Sequence, residues 1–223
     1  MSGAPLPSNG KRNSSSASAR APARVRMTGQ ERREQLLDVG RVLFAEKGYE
    51  PTSIEEIAER AKISKPIVYE HFGGKQGLYA VIVDREVQEL LGRITAALDA
   101  EQPRVMLQQA AQAFLMYIEQ EPDGFRILVR DTPVASGMGT LGSLLHDIAA
   151  QVEHILAEQF KARGYDPKVA PVYSRALVGM VAVVGEWWLD VGKPSRDTVA
   201  AHVVNLAWNG LSDLEKKPAL VKR

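Results

Sequence analysis

The chain has 223 residues, 45% of them hydrophobic and 25% charged, with a formal net charge of +1. That is the composition of an ordinary soluble globular protein, long enough for one large domain or for a small one joined to a larger one. No cysteine is present, which excludes disulfides, thiolate metal sites and thiol nucleophiles. The longest uncharged apolar run near the C-terminus, residues 176–185, is far shorter than the roughly 20 residues that span a bilayer. The N-terminus lacks the apolar stretch of a signal peptide. A cytoplasmic protein without membrane contact is expected.

Residues 1–26 are rich in Ser, Ala, Pro and Gly and have no apolar periodicity, so they form a tail that cannot bury enough surface to order itself. Lys11, Arg12, Arg20, Arg24 and Arg26 make it basic, and no acid accompanies them. It reads either as a floppy extension or as an arm that reaches DNA phosphates or the minor groove. Met27 stands directly before a capping box, Thr28 and Glu31, so residues 1–26 also fit an upstream extension of a shorter chain. The next helix is predicted over 29–46, with Leu36, Leu37, Val39, Val42, Leu43 and Phe44 on its apolar face and Gly48 past its end. Arg32 and Arg33 near its start are exposed on this reading, either as solvated charges or as DNA-backbone contacts.

Residues 52–78 read as two short helices joined by a tight turn and followed at once by a third. Ser53 and Glu56 have capping-box spacing. Ile54, Ile57, Ala58 and Ala61 then share one face, the turn falls at Lys62 and Ile63, and Ser64 is placed to cap the second helix. Pro66 sits in that helix's first turn, where its missing N–H costs little. Val68 and Phe72, four apart, turn inward. Lys65, Pro66, Ile67 and Tyr69 face away, and Gly73-Gly74 ends the helix. This is the pattern of a helix-turn-helix, whose second helix fits the major groove of double-stranded DNA. Taken alone it also fits an αα-hairpin. Charge does not decide, because residues 28–80 hold eight basic and nine acidic side chains.

The spacing of particular residues says more. Phe44-Ala45-Glu46-Lys47-Gly48-Tyr49, Thr52, Ile57-Ala58, Ala61, Ile63-Ser64, Tyr69, His71-Phe72, Lys75 and Leu78 together resemble the N-terminal domain of TetR-family transcriptional regulators. Past residue 80 the resemblance is architectural only. It implies DNA contact at Thr52, Ser64, Lys65, Pro66, Ile67, Tyr69, His71 and Lys75. Lys65 and Lys75 suit phosphate, and Lys65 alternatively a guanine edge. Tyr69 meets the backbone through its hydroxyl in this family. Pro66 and Ile67 offer only contact with thymine methyls, and His71 alternatively serves as an internal hydrogen-bonding residue.

A helix from Lys75 to the mid-nineties follows, with Leu78, Val81, Ile82, Leu90, Leu91 and Ile94 inward. Its N-terminus favours an anionic phosphate, and its length makes it the mechanical link to the rest of the chain. Further helices are predicted over 103–119, 122–130, 140–163, 167–191 and 196–214, with a loop through Pro133, Gly137 and Gly139. No run of alternating β-branched residues interrupts them. The fold class is therefore all-α, about nine helices: a disordered basic tail (1–26), a helix-turn-helix domain (27–74) and a helical effector-binding and dimerisation domain (75–223).

The helix at 167–191 is apolar nearly all round, and that at 196–214 repeats Ala200, Val203, Val204, Ala207 and Leu211. Two such helices in succession predict a homodimer through an isologous four-helix interface, which the resemblance also implies; the alternative is an internal hairpin in a monomer. Met106, Phe114, Tyr117, Phe125, Met180, Trp187 and Trp188 are candidates to line a pocket for a hydrophobic small-molecule effector, each alternatively a plain core residue. His146 and His154 either meet in a pocket or are solvated. No cofactor or metal is expected. An enzyme is not either, since there is no His-Glu-x-x-His, no Glu-x-x-His pair, and the glycines near Gly73 follow no strand. The expectation is a one-component repressor that binds a palindromic operator as a dimer and is released by its effector. The alternative is a helical small-molecule or lipid-binding protein without a DNA role.

Overall fold

The computed structural model describes residues 27–100, 102–130 and 141–221. Among them are nine α-helices and no strand: α1 (Gly29–Lys47), α2 (Ile54–Ala61), α3 (Lys65–Phe72), α4 (Lys75–Ala97), α5 (Pro103–Gln120), α6 (Pro122–Val129), α7 (Leu141–Arg163), α8 (Ala170–Val191) and α9 (Arg196–Ser212). The tail at 1–26 and the loop through Pro133, Gly137 and Gly139 lie outside the described residues.

Local chemistry explains most of these boundaries. Thr28 and Glu31 form the complete capping box at α1: the Glu31 amide donates to Thr28 Oγ1 (3.2 Å) and the Thr28 amide to the Glu31 carboxylate (2.6 Å). At α2 only half of the box forms. Ser53 Oγ accepts from the Glu56 amide, but the Glu56 carboxylate pairs with Lys47 instead, because a nearby ammonium is a stronger partner than a backbone amide. Ser64 occupies the N-cap of α3 without a side-chain hydrogen bond, so Pro66 and packing set that start. The expected helix at 167 begins later, since Pro167–Val169 is a single 3₁₀ turn capped by Asp166.

α1, α2 and α3 close around Leu36, Leu43, Phe44, Ile57, Ala58, Val68 and Phe72. An aromatic trio, Phe44, Tyr49 and Tyr79, with ring centroids 4.9–6.0 Å apart, ties the end of α1 and the loop after it to α4; each such pair adds about 0.5–1.5 kcal/mol beyond its burial. α4 runs on into the C-terminal half and packs on α5 and α7. α7 pairs with α8, α9 lies on α5, and the short α6 is wedged against both α1 and α4. One connected core passes through all of this.

α9 departs from expectation. Its Val199, Ala200, Val203, Val204 and Ala207 stripe is buried within the chain. The small residues bring α9 close to α5, and the face left outward carries Ala201, His202, Asn205, Leu206 and Asn209. On α8 the outward face carries large apolar side chains, Val172, Val183, Trp187 and Val191, each at least 50% exposed, beside the exposed charges Arg175, Glu186 and Asp190. The stretch Pro167–Val191 is long and apolar enough by composition to cross a bilayer, more so than residues 176–185 alone suggest, but its inner side packs on α7 and α5.

The junction of α1, α4, α5 and α6 holds a polar cluster. Glu86 on α4 is 5% exposed. Arg41 Nε donates to Glu86 Oε1 and the Tyr117 hydroxyl to Glu86 Oε2, while a second Arg41 nitrogen donates to Glu121, all at 2.6 Å. α6 approaches so closely that a Cβ on Gly124 would collide with the Glu86 carboxylate. Gly124→Ala is therefore expected to lower stability by about 1–3 kcal/mol, as overpacking of a closed site does. The check is a fall in the urea midpoint with an unchanged slope.

Candidate nucleic-acid interface

The turn between α2 and α3 is set by Lys62, the one non-glycine residue with positive φ (54°) among the described residues. Its amide donates back to Ala58 and Glu59, and the Ile63 amide donates to Ala58 (2.9 Å). A left-handed residue with a Cβ costs roughly 1–2 kcal/mol, which the satisfied carbonyls and the burial of Val68 at 0% exposure offset. Gly73 ends α3 with φ 70° and its amide on the Tyr69 carbonyl.

Held this way, α3 turns Val68 and Phe72 into the core and leaves Ser64, Lys65, Pro66, Tyr69 and Glu70 exposed, with Ile67 half-buried. Tyr69 is 55% exposed. Cations of α1, α2 and α3 pair with acids of a neighbouring helix: Lys65 with Glu55 (2.7 Å), Arg60 with Glu46 (3.1 Å) and Lys47 with Glu56. The hydrogen bond from Lys65 holds the Glu55 carboxyl below its ordinary range. Pairs this exposed are worth little and exchange readily for an external anion. No side chain caps the N-terminus of α4, where Gly74 is the N-cap.

Three predicted contacts take other positions. Thr52 is 1% exposed, and its hydroxyl donates to the Gly48 carbonyl at 2.7 Å, so it ties the loop after α1 to that helix. Lys75 Nζ donates to the Tyr49 and Glu50 carbonyls and sits 4.2 Å from the Tyr49 ring centroid, because the loop leaves those carbonyls without backbone partners within its reach. Both are framework residues in this conformation. His71 is half-buried beside Gly29, off the exposed face. Arg32 and Arg33 are half-buried too: Arg32 donates to the Met27 carbonyl, and Arg33 lies over the Phe72 ring.

A second feature lies in the C-terminal half. α4, α5, α7, α8 and α9 line a cavity of about 140 Å³. Its lining residues are aliphatic or aromatic apart from Met106 and Gln159. Of the predicted lining residues only Met106 and Phe114 reach it. Tyr117 and Phe125 are fully buried in the core beside it, and Met180 packs against that core. Trp188 is buried with its indole N–H on the Pro194 carbonyl, and Trp187 points outward. Size and apolarity favoured these aromatics in the sequence. The cavity is lined instead by aliphatic residues such as Ile94, Leu98, Ile148, Val152 and Leu177, whose spacing matches ordinary core and carries no separate signal. His146 and His154 are exposed, and no cluster of potential metal ligands occurs among the described residues.

Residues 36–82 match the model for bacterial regulatory proteins of the tetR family, and residues 93–221 match the tetracyclin repressor-like C-terminal domain; the gap between them falls inside α4. The chain is 31% identical over 197 residues to the HTH-type transcriptional activator FasR of Mycolicibacterium smegmatis, covering 84% of this chain and 86% of that one. It is 28% identical over 142 residues to the HTH-type transcriptional repressor ComR of Escherichia coli, covering 60% of this chain and 68% of ComR. Among solved structures, a TetR-like transcriptional regulator from Rhodococcus sp. RHA1 superposes with a TM-score of 0.72 at 27% identity, over 84% of this chain and 99% of that one.

Replacing Thr52 by Val keeps its shape and removes the hydroxyl that serves the Gly48 carbonyl. The expected loss is about 1–3 kcal/mol, the cost of a buried acceptor left unpaired, read as a lowered thermal midpoint.

Proposed function

The chain belongs to the tetR family of bacterial regulatory proteins, and on that footing we propose that it is a one-component repressor, dimeric, that binds a palindromic operator and is released by a small hydrophobic effector. It is a DNA-binding transcriptional regulator and not an enzyme. The observation that carries the finer reading is the outward face of α3, where Lys65, Pro66 and Tyr69 stand clear of the core on a helix anchored by Val68 and Phe72. A twofold pair of such helices, about 34–36 Å apart, enters successive major grooves. Lys65 and Tyr69 serve the phosphate backbone, and Pro66 and Ile67 meet base edges by apolar contact. Ser64, at the start of α3, is in reach of the same backbone.

The second copy is assigned to the exposed apolar stripe of α8, joined by the outer face of α9 at Leu206. An apolar stripe of this length is unusual on a solvated monomer. The effector is assigned to the apolar cavity, whose aliphatic wall selects a hydrophobic molecule. Such a molecule shifts the balance toward a DNA-incompetent conformer only by its differential affinity for the two states. A regulator that reads chromosomal DNA works in the cytoplasm. The sign of regulation is tested in a reporter strain: deleting the gene raises transcription from the operator-bearing promoter if the protein represses, and lowers it if it activates, as the name of FasR states for that relative.

The wild-type protein is expected to select a palindromic duplex from a random library and to shift it in a gel, with affinity falling steeply as salt rises. Lys65→Ala should lower affinity across sequences and reduce the slope of log K against log salt by about 0.9, the yield of one phosphate contact. An unchanged slope removes Lys65 from the interface. Binding of apolar molecules without any duplex binding would favour a helical small-molecule carrier instead. Trp187→Glu places a charge in the α8 stripe and is expected to halve the mass seen by sedimentation equilibrium; an unaltered mass moves the dimer contact elsewhere.

A further inference from the structure

We propose that Arg41, Glu86 and Tyr117 are positioning residues for DNA reading: their clasp sets the tilt of α1, and with it α3, according to the state of the apolar cavity. This rests on the regulator reading above.

The cluster is built for geometry. Both carboxylate oxygens of Glu86 are engaged at 2.6 Å, one by Arg41 of α1 and one by Tyr117 of α5, and Arg41 reaches on to Glu121 between α5 and α6. Buried ionic groups are poor stabilisers compared with apolar side chains of the same volume, but they tolerate few arrangements. A helix held by such a group takes discrete positions. Burial and the neighbouring Glu86 carboxylate push the Tyr117 hydroxyl far above its ordinary range, so it remains a donor at all working pH values. Burial alone would lower Arg41, but Glu86 and Glu121 together outweigh it and hold the guanidinium charged.

The clasp is also in contact with the cavity wall. Phe114 lines the cavity and meets Phe125 edge-on at 5.5 Å; Phe125 in turn meets Tyr117 at 6.4 Å. Phe114 and Tyr117 are three apart on α5, so one rotation of that helix moves both. Slack is missing on either side. A Cβ on Gly185 of α8 would collide with Phe114, and one on Gly124 of α6 would collide with Glu86. A guest that displaces Phe114 finds α8 closed against it, and the displacement passes into Phe125, α5 and the Tyr117–Glu86 bond. Hydrogen-bonded to Glu86 from the other side, α1 follows.

A double-mutant cycle tests this without an identified effector. Ala110→Leu fills the cavity from α5, Tyr117→Phe removes the clasp hydroxyl and keeps the ring, and the readout is affinity for the duplex selected by the wild-type protein. The expected result is a coupling of about fivefold or more between the two changes, the lower end of allosteric couplings; a smaller coupling overturns the proposal. If Tyr117→Phe does not fold, Glu121→Gln, which frees the other arm of Arg41 at a half-exposed position, takes its place in the same cycle. The chain has no cysteine, so Glu70→Cys on the exposed face of α3 gives a single spin-label pair per dimer. Tyr117→Phe should shift that distance distribution. Lost thermal stability with an unmoved distance would make the clasp merely structural and overturn its positioning role. A wild-type protein that selects no duplex sinks the regulator reading as well, whereas duplex binding with an additive cycle sinks the clasp alone.

Discussion

A carboxylate taken out of water must have both oxygens satisfied, and Glu86 meets that demand with groups from two different helices. The placement of the first three helices against the remainder depends on this. α1 carries Arg41 into the junction, α5 supplies Tyr117, and α6 closes over them at Gly124. An apolar junction of similar size would allow sliding, since dispersion contacts are numerous and weakly directional. The ionic one joins α1, α4 and α5 through short, directional hydrogen bonds that tolerate few arrangements. Arg130, whose guanidinium donates to the Phe44 carbonyl at 3.1 Å, reinforces the same α1–α6 contact from its other end.

The surface around α3 shows how a nearly neutral domain presents cations to an anion. Residues 28–80 hold one more acid than bases, and Lys65, Arg60 and Lys47 spend the free state paired with Glu55, Glu46 and Glu56. These contacts are solvated and cheap to break. On the proposed DNA-binding reading, a phosphate competes for these cations while the acids left behind oppose indiscriminate binding. Thr52 and Lys75 contribute differently, bracing the loop after α1 so that α2 and α3 keep their angle.

Much of the architecture was legible in the chain. Helix periodicity, the Thr28 box, the Gly73 stop and the inward pair Val68 and Phe72 are local, and local signals survive folding. The resemblance carried by residues 44–78 led to the family that the comparisons show. Where a side chain took a partner that its spacing does not suggest, that partner lay far away in sequence. Glu56 answered Lys47, nine residues back, instead of its own helix start. Lys75 found carbonyls 25 and 26 residues away. The stripe on α9 was rightly seen as a close-packing surface, but α5 of the same chain takes it.

The amino-acid sequence by itself determined the all-helical class, the helix-turn-helix and the outward set Lys65, Pro66 and Tyr69, because each follows from neighbours within a turn or two. Only the tertiary structure decided which apolar residues enclose the cavity and which merely fill core, since both look alike in a helical pattern. It also revealed the Arg41–Glu86–Tyr117 clasp. Those three residues sit on separate helices, 45 and 31 positions apart, and nothing in the spacing of a charge or a phenol says which distant group will share its burial.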